Sequence, residues 1–589
     1  MRWIFREADQ TRVAELQEAL KLSPAVARLL ANRKILTPDD AVSFLKPTLG
    51  ALHSPYLMLG MRAAVERIRA AIERKETILI YGDYDVDGTT AVVILKTAIE
   101  ICGGIVQFHV PHRIKDGYGM RDDVIERAAT EGVRLIISVD TGIRAFAAAE
   151  AAKRCGVDLI VTDHHLPETE QGVPQAVAVL NPNQSGCEYP CKALCGAGVA
   201  FKVAQALLEE SGRARLLPSF IKIVAIATVA DAVPLVGENR IFTKLGLEGL
   251  RQPVNAGLRA ILEVSSLDGS RPITTGDIAF RVAPRLNAAG RMDVAQTVID
   301  LFGEKDAKRA REIAERLTAL NGERQQQEAQ ILKEIEERVA AAPELRDAYC
   351  LVLDGDGWHR GVIGIAATRV VERYGRPALV LSREAGEAHG SGRSIHSFHL
   401  LEALESCREL FTRFGGHAHA VGLALPCDRI EQLRSQLDVY ARERLTEADF
   451  VPVLRVDAEL EWDEIGPDLF QGIRQLEPFG MGNPEPVFVT RNAQLLLPPK
   501  TIKDKHVKFR LAHASKRGRR WDALAWRMAE LCAEENLLAG DSVDIAFTLE
   551  HNDHPEFGGL ELRLEDFARP SNLTQEKAAV PSHSHQLPI

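Results

Sequence analysis

A multidomain α/β fold is predicted: a parallel-sheet domain, a long connecting helix, a smaller α/β domain and a C-terminal β-barrel. Three observations predict it. Short β-branched runs alternate with helical stretches from residue 77 to residue 180. A charged stretch over 301–347 carries apolar residues near helical spacing. Past about residue 450, short runs alternate with the period of a strand. The length of 589 residues exceeds what one hydrophobic core organises, so several domains are required.

Residues 1–75 read as helical and locally basic ("ARLLANRKIL"), an N-terminal cap on the domain that follows. Over 76–300, "TILIY", "IVQFHV", "RLIISV", "DLIV" and "AVAVL" read as strands, separated by helices such as "TTAVVILKTAIEICG" and "RAFAAAEAAKRCG". Such alternation implies a parallel sheet covered on both faces, with ligands bound beyond the carboxyl ends of the strands. The stretch 301–347 could be a dimerising coiled coil, but Asn321, Gly322 and the glutamine cluster break the heptad, which favours a linker helix. A second α/β pattern occupies 348–448, opening with "YCLVLDGDGWHRGVIGIAATRVVERYG". Over 449–570, "HVKFRLAH", "RWDALAWRMA", "SVDIAFTLEHN" and "LELRLEDFA" suggest an OB-fold. Lys500, Lys503, Lys505, Lys508, Lys516, Arg517, Arg519 and Arg520 make this part basic, as a single-strand track requires, although a solvated hairpin has the same look. The tail 571–589 is polar and expected to be disordered.

The N-terminus, "MRWIFREADQ", breaks its apolar residues with charge at once, unlike a secretory signal. No run approaches the roughly 18 apolar residues of a membrane span, so a cytoplasmic protein without membrane contact is expected. The odd count of nine cysteines argues for reduced thiols. Cys187, Cys191 and Cys195 lack a fourth zinc ligand at a usual spacing and read as a loop of buried thiols. A formal charge of -10 excludes general attraction to nucleic acid, so such binding must rely on local patches.

Polar residues gather at the predicted strand ends. Asp83, Asp85 and Asp87 follow "ILIY"; Asp140 ends "LIISVD"; Asp163, His164 and His165 follow "LIVT"; Asp231 ends the helical run "IKIVAIATVAD". Any one of them could be a helix cap or a turn residue. Converging together, the carboxylates would raise one another's pKa and destabilise the fold unless divalent cations neutralised them. Carboxylate oxygens with one or two imidazoles favour Mg²⁺ or Mn²⁺, and the ligand number suggests two ions.

The set "YGDYDVDGTTA", "SVDTGI", "TDHH" and "ATVADAVPL" resembles the motifs of the DHH phosphoesterase superfamily. Nearly the whole chain resembles the RecJ-type single-strand-specific exonucleases, through "PHRIKDGYG", "LCGAGVAFK", "APRLNAAGRM", "WHRGVIGIAATR", "GSGRS", "FGGHAHAVG" and "EPFGMGNPEPVF" in order. The resemblance implies a DHH catalytic domain over 76–300, a DHHA1 substrate-binding domain over 348–448 and an OB-fold over 449–570. It also implies removal of 5′-mononucleotides from the 5′ end of single-stranded DNA in repair and recombination, by two-metal hydrolysis. Carried over, Asp85 and Asp87 would each hold one ion, Asp83 would assist and Asp140 would bridge, with His164 and Asp231 completing the ligands of the second ion. His165 would contact the scissile phosphate or help to orient a ligand, and Asp163 would act from behind the metal ligands. Arg113, Tyr118, Arg285, Asn287, Arg291, Ser391, Arg393, Ser394 and His417 would handle phosphate and terminal nucleotide, with Tyr118 stacking on a base. Single-stranded DNA is the implied partner, with a single-strand-binding protein and a helicase alongside, and the chain is expected to be monomeric. Competing readings are a DHH phosphodiesterase for oligonucleotides or cyclic dinucleotides, a pyrophosphatase, and a noncatalytic DNA-binding scaffold. The additional domains count against the first two, and the complete ligand set counts against the last.

Overall fold

"TILIY" alternates β-branched and aliphatic residues with no polar face, the pattern of a strand covered on both sides. It forms β1 (Thr77–Tyr81) of a parallel sheet with β2 (Ile105–His109), β3 (Val133–Val139), β4 (Asp158–Thr162) and β5 (Ala178–Leu180). The computed structural model describes residues 1–117, 119–168, 171–513, 516–552, 558–570 and 576–577. The strand order is β2-β1-β3-β4-β5, so the order reverses at β1, and the carboxyl ends of β1 and β3 flank the crevice where such sheets hold ligands. The crossover helix α1 (Val86–Ile101) is almost wholly buried and packs on α2 (Gly196–Glu210) and α3 (Leu217–Ala230). Further on, α4 (Ala283–Met292) packs against α5 (Ala307–Ala341), the long helix the sequence predicts. It runs unbroken through Asn321 and Gly322, because Asn321 and Arg324 turn inward and bond to each other at 2.9 Å.

Beyond it lies a second sheet of β6 (Leu351–Asp356), β7 (Ala378–Glu384), β8 (Glu387–Arg393), β9 (Arg413–His417) and β10 (Ala420–Pro426), in the order β9-β10-β8-β7-β6. The helix α6 (Ile363–Tyr374) covers β7 and β8. These two sheets lie in one compact unit, residues 53–233 and 245–451.

The other unit comprises residues 1–52, 234–244 and 452–589. Its strand Phe488–Leu495 pairs with both Ser542–Asn552 and His506–His513, which closes a barrel. Lys516–Ala525 and Gly559–Ala568 complete it, running parallel to each other as the third and fifth barrel strands of an OB-fold do.

The N-terminal residues depart from expectation. Residues 1–52 group with the barrel and residues 53–75 with the parallel sheet: Arg2–Phe5 is a strand parallel to Val453–Val456, and Leu16, Leu29 and Leu30 share a core with Trp462, Ile473 and Phe488. The physical reason is a matched apolar face and a polar lock. Asn483 of "EPFGMGNPEPVF" is fully buried, donates to the Leu476 and Pro478 carbonyls, and accepts from Arg33 Nε at 2.7 Å. Glu576–Lys577 adds to the same small sheet, and the rest of the tail lies outside the described residues.

The basic track is only partly available. Lys508 pairs with Asp522 at 2.9 Å and Arg519 donates to the Asp463 carbonyl, whereas Lys500, Lys503, Lys505 and Arg520 are exposed. The side chains of Lys516 and Arg517 lie outside the described residues.

Candidate metal centre

The three aspartates after β1 have different local tasks. Asp85 is the N-cap of α1, its carboxylate accepting from Gly88 N at 3.0 Å. Asp87, one turn in, accepts from Gly196 N at 2.5 Å and Ala197 N at 2.8 Å, the first amides of α2. Those amides and the helix dipole favour an anion there. Gly196 has to be glycine: a Cβ would lie 2.5 Å from the Asp140 Cβ. That close approach is the physical content of "LCGAGVAFK". Asp83 is buried, and its Oδ1 has no hydrogen-bond partner.

Asp140 leaves β3 in the left-handed region, φ 58°, which Asp tolerates better than most residues, and its N–H donates to the Thr162 carbonyl. His164 and His165 follow β4. The His164 Nε2 lies 3.2 Å from Asp140 Oδ1 and 3.8 Å from both Asp87 and Asp231, so one imidazole meets three carboxylates. Asp231 reaches the same place from the end of α3. Asp163 stands behind the cluster. It accepts from the Ile143, His164 and His165 amides and bonds His165 Nδ1 at 2.7 Å, which fixes that ring.

The charges are unbalanced. Burial first, and the neighbouring carboxylates second, hold Asp83, Asp140 and Asp231 well above the usual carboxylate range. Asp87 is pushed up to about 6 by burial and by Asp85. Burial lowers His164 to about 3, leaving it a neutral, lone-pair donor. Burial would raise Asp163 as well, but its bond to His165 and the charge of that ring hold it at about 2. Asp140 Oδ1 and Asp231 Oδ2 share the orphaned state of Asp83 Oδ1. Buried oxygens without donors, repelling one another, are what a cation would satisfy. Among the described residues, three ligand sets have all their donor atoms within 4.8 Å: Asp83, Asp85 and Asp140; Asp140, His164 and His165; Asp87, His164 and Asp231. Asp140 and His164 each belong to two sets, so the sets interlock. Cys187, Cys191 and Cys195 belong to none and are buried.

The residues predicted to handle phosphate divide. Arg113 lies over the Tyr84 ring at 3.9 Å, and its charge acts on Asp83 as well as on Arg291 and Arg393. Arg291 on α4 donates to the Gly361 carbonyl and is lowered to about 9, by burial first and then by Arg113, with Arg324 and Arg393 also acting on it. Arg393 on β8 is lowered by burial and by Arg113. His417 on β9 is lowered by burial and by the charges of His419, Arg393 and His165. Asn287 and Ser394 serve the framework. Asn287 accepts from Val86 N at 3.1 Å and so holds the start of α1, and Ser394 donates to the Phe398 carbonyl. Arg285 donates to the Arg281 carbonyl and Ser391 lies beside Gly364. Tyr118 lies outside the described residues. The sequence reading missed Arg324, whose only sequence signal is an arginine within the polar break of a helix.

The chain matches the profiles of the DHH family, N-terminal domain, over residues 77–228, the DHHA1 domain over 347–443 and the RecJ OB domain over 456–566. It is 38% identical to the single-stranded-DNA-specific exonuclease RecJ of Bacillus subtilis (strain 168), over 96% of this chain and 71% of that one. The chain belongs to the RecJ family. The RecJ of Dickeya dadantii (strain 3937) is 35% identical over 94% of this chain and 97% of that one. The crystal structure of Thermus thermophilus RecJ in complex with Mn²⁺ superposes with a TM-score of 0.83 at 28% identity, covering 98% of this chain and 81% of that one. A second RecJ crystal structure from that organism is in complex with Mg²⁺, with a TM-score of 0.77.

Proposed function

We propose that this chain is a single-stranded-DNA-specific 5′–3′ exonuclease that hydrolyses phosphodiester bonds to 5′-mononucleotides with two Mn²⁺ or Mg²⁺ ions. The observation that carries the reading is the interlocking of three ligand sets through Asp140 and His164 beside a cluster of guanidiniums. Asp83, Asp85 and Asp140 would hold one ion; Asp87, His164 and Asp231 the other, with Asp140 between them. When bound, the cations supply activation of the attacking water and stabilisation of charge on the phosphoryl and leaving oxygens. The chain's own residues orient the reactants. Asp163 fixes the His165 ring toward the scissile phosphate, and the α2 amides hold Asp87 in place. Arg113, Arg291 and Arg393 would bind the phosphates around the cut, and His417 and Ser391 the terminal nucleotide. Family membership supports the single-strand-specific exonuclease activity, and the 5′ polarity and the role in repair and recombination follow from the sequence resemblance.

A single strand lies more easily than a duplex among side chains buried this deeply, so a helicase and a single-strand-binding protein would prepare the substrate. We read the protein as a cytoplasmic monomer; none of the described helices is long and apolar enough to cross a membrane. The test is an assay with Mn²⁺ and Mg²⁺ on 5′- and 3′-labelled single-stranded and duplex DNA. Mononucleotide release from the 5′ label of the single strand alone is expected. Preference for a dinucleotide over long strands would replace this reading with a small-phosphodiesterase one.

A further inference from the structure

Phe280 is 78% exposed, the most exposed of the large apolar side chains among the described residues. A phenylalanine in that state loses the free energy it would gain by burial, so its position calls for a cause. The local cause is Pro284, which has no N–H to give the Phe280 carbonyl four residues back. The helix widens there into a π turn, Ile278–Val282, between Thr275–Asp277 and α4, and such turns concentrate at functional sites.

The turn is braced. Asp277 pairs with Arg271 at 2.6 Å and with Arg281 at 3.2 Å, and Thr274 closes a capping box with it. The exposed ring is therefore presented from a fixed base, and ordering it would cost little. Its surroundings are cationic. Arg281, paired with Asp277, follows it directly, and Arg285 folds back to donate to the Arg281 carbonyl, its Nε buried without a partner.

Position ties the turn to the centre described above. It packs against α3, which ends at Asp231, and leads into α4, where Asn287 holds the start of α1 and Arg291 feels the Asp85 charge. A rise of about 1.5 Å per residue sets Phe280 about 16 Å from Arg291 along the helix. That distance reaches beyond the nucleotide being cut.

We propose that Phe280 is a stacking platform for a base of the single strand 3′ to the nucleotide being removed, with Arg285 on an adjacent phosphate. A bare aromatic face between arginines fits single-stranded nucleic acid without regard to sequence, because every base has a π face and every linkage a phosphate. The inference rests on the proposed function for its substrate, and its test separates the two.

Wild type, Phe280→Ala and Phe280→Trp are compared in two measurements. Anisotropy in EDTA gives affinity for a labelled oligothymidylate of about twelve residues, and Mn²⁺-dependent hydrolysis gives kcat/KM for that strand and for pTpT. Loss of one stacked base predicts about tenfold weaker binding of the long strand by Phe280→Ala, and a similar fall in its kcat/KM ratio over pTpT. Phe280→Trp should restore both. Long-strand binding by Phe280→Ala within twofold of wild type overturns the platform, as does an equal loss on both substrates, which would make Phe280 a support of the hydrolytic centre. Failure of the wild type to degrade the strand would instead remove the proposed function and leave the binding comparison to decide the platform by itself.

Discussion

Asp140 carries more of the centre than any other side chain. It sits in a left-handed backbone, is 3% exposed, has an orphaned oxygen and belongs to two of the three ligand sets. Strain and an unpaired buried oxygen together oppose folding, which is tolerable where a cation compensates. Asp140→Ala should lower kcat with Mn²⁺ by more than about a thousandfold while raising the Tm of the metal-free protein, because a repelling carboxylate is gone. Loss of activity together with a lowered metal-free Tm would contradict that assignment. Asp163→Ala acts indirectly. It frees the His165 ring, and outer residues of this kind cost about 10- to 100-fold in activity or metal affinity, measurable by titration calorimetry.

At the scale of the element, α2 is the device that lets a sheet edge hold so much negative charge. Its first two amides face Asp87, and its first residue lies against Asp140. Gly196→Ala should weaken Mn²⁺ binding and destabilise the protein by about 1–3 kcal/mol, since the new Cβ would lie 2.5 Å from the Asp140 Cβ and push that ligand out of place. Gly198→Ala is the control: its Cβ would meet Leu194 at 3.4 Å, ordinary contact. Equal effects from the two glycines would show that the close approach to Asp140 is not what matters. In the barrel unit, Asn483→Ala removes the acceptor of Arg33 and the donors to two carbonyls, all buried, at a cost of about 2–3 kcal/mol in chemical denaturation.

For the molecule as a whole, metal and pH are linked. Asp83, Asp140 and Asp231 have folded-state pKa values raised above the ordinary 3.8, and Asp87 is at about 6, so the native state binds protons that the unfolded state has lost. Their stabilising effect in metal-free protein is complete below about pH 4 and fades as pH rises through the raised values. EDTA-treated protein should therefore have a lower Tm at about pH 8 than at about pH 5.5, and Mn²⁺ should raise the Tm more at the higher pH. A metal-free Tm that is flat or rising over that window would contradict the repulsion inferred for the cluster.

The residues at strand ends were legible because a parallel sheet delivers whatever follows each strand to one edge; Asp83, Asp140 and Asp163 needed only the period of the strands around them. The long helix was legible from its apolar spacing, and the barrel from its alternation. Long-range partners left no such trace. Nothing adjacent in sequence says that Asn287 holds the first amide of α1, that Arg324 turns inward from a polar break, or that residues 1–52 form one unit with residues 452–589. An amphipathic helix advertises an apolar face but not the surface that covers it, and that choice is made by shape and by buried polar locks such as Asn483 with Arg33. Sequence by itself thus determined the chemistry, through residue types at fixed periods. The tertiary structure decided which distant groups neutralise, orient or crowd one another, because those energies depend on distances of a few ångströms that periodicity does not encode.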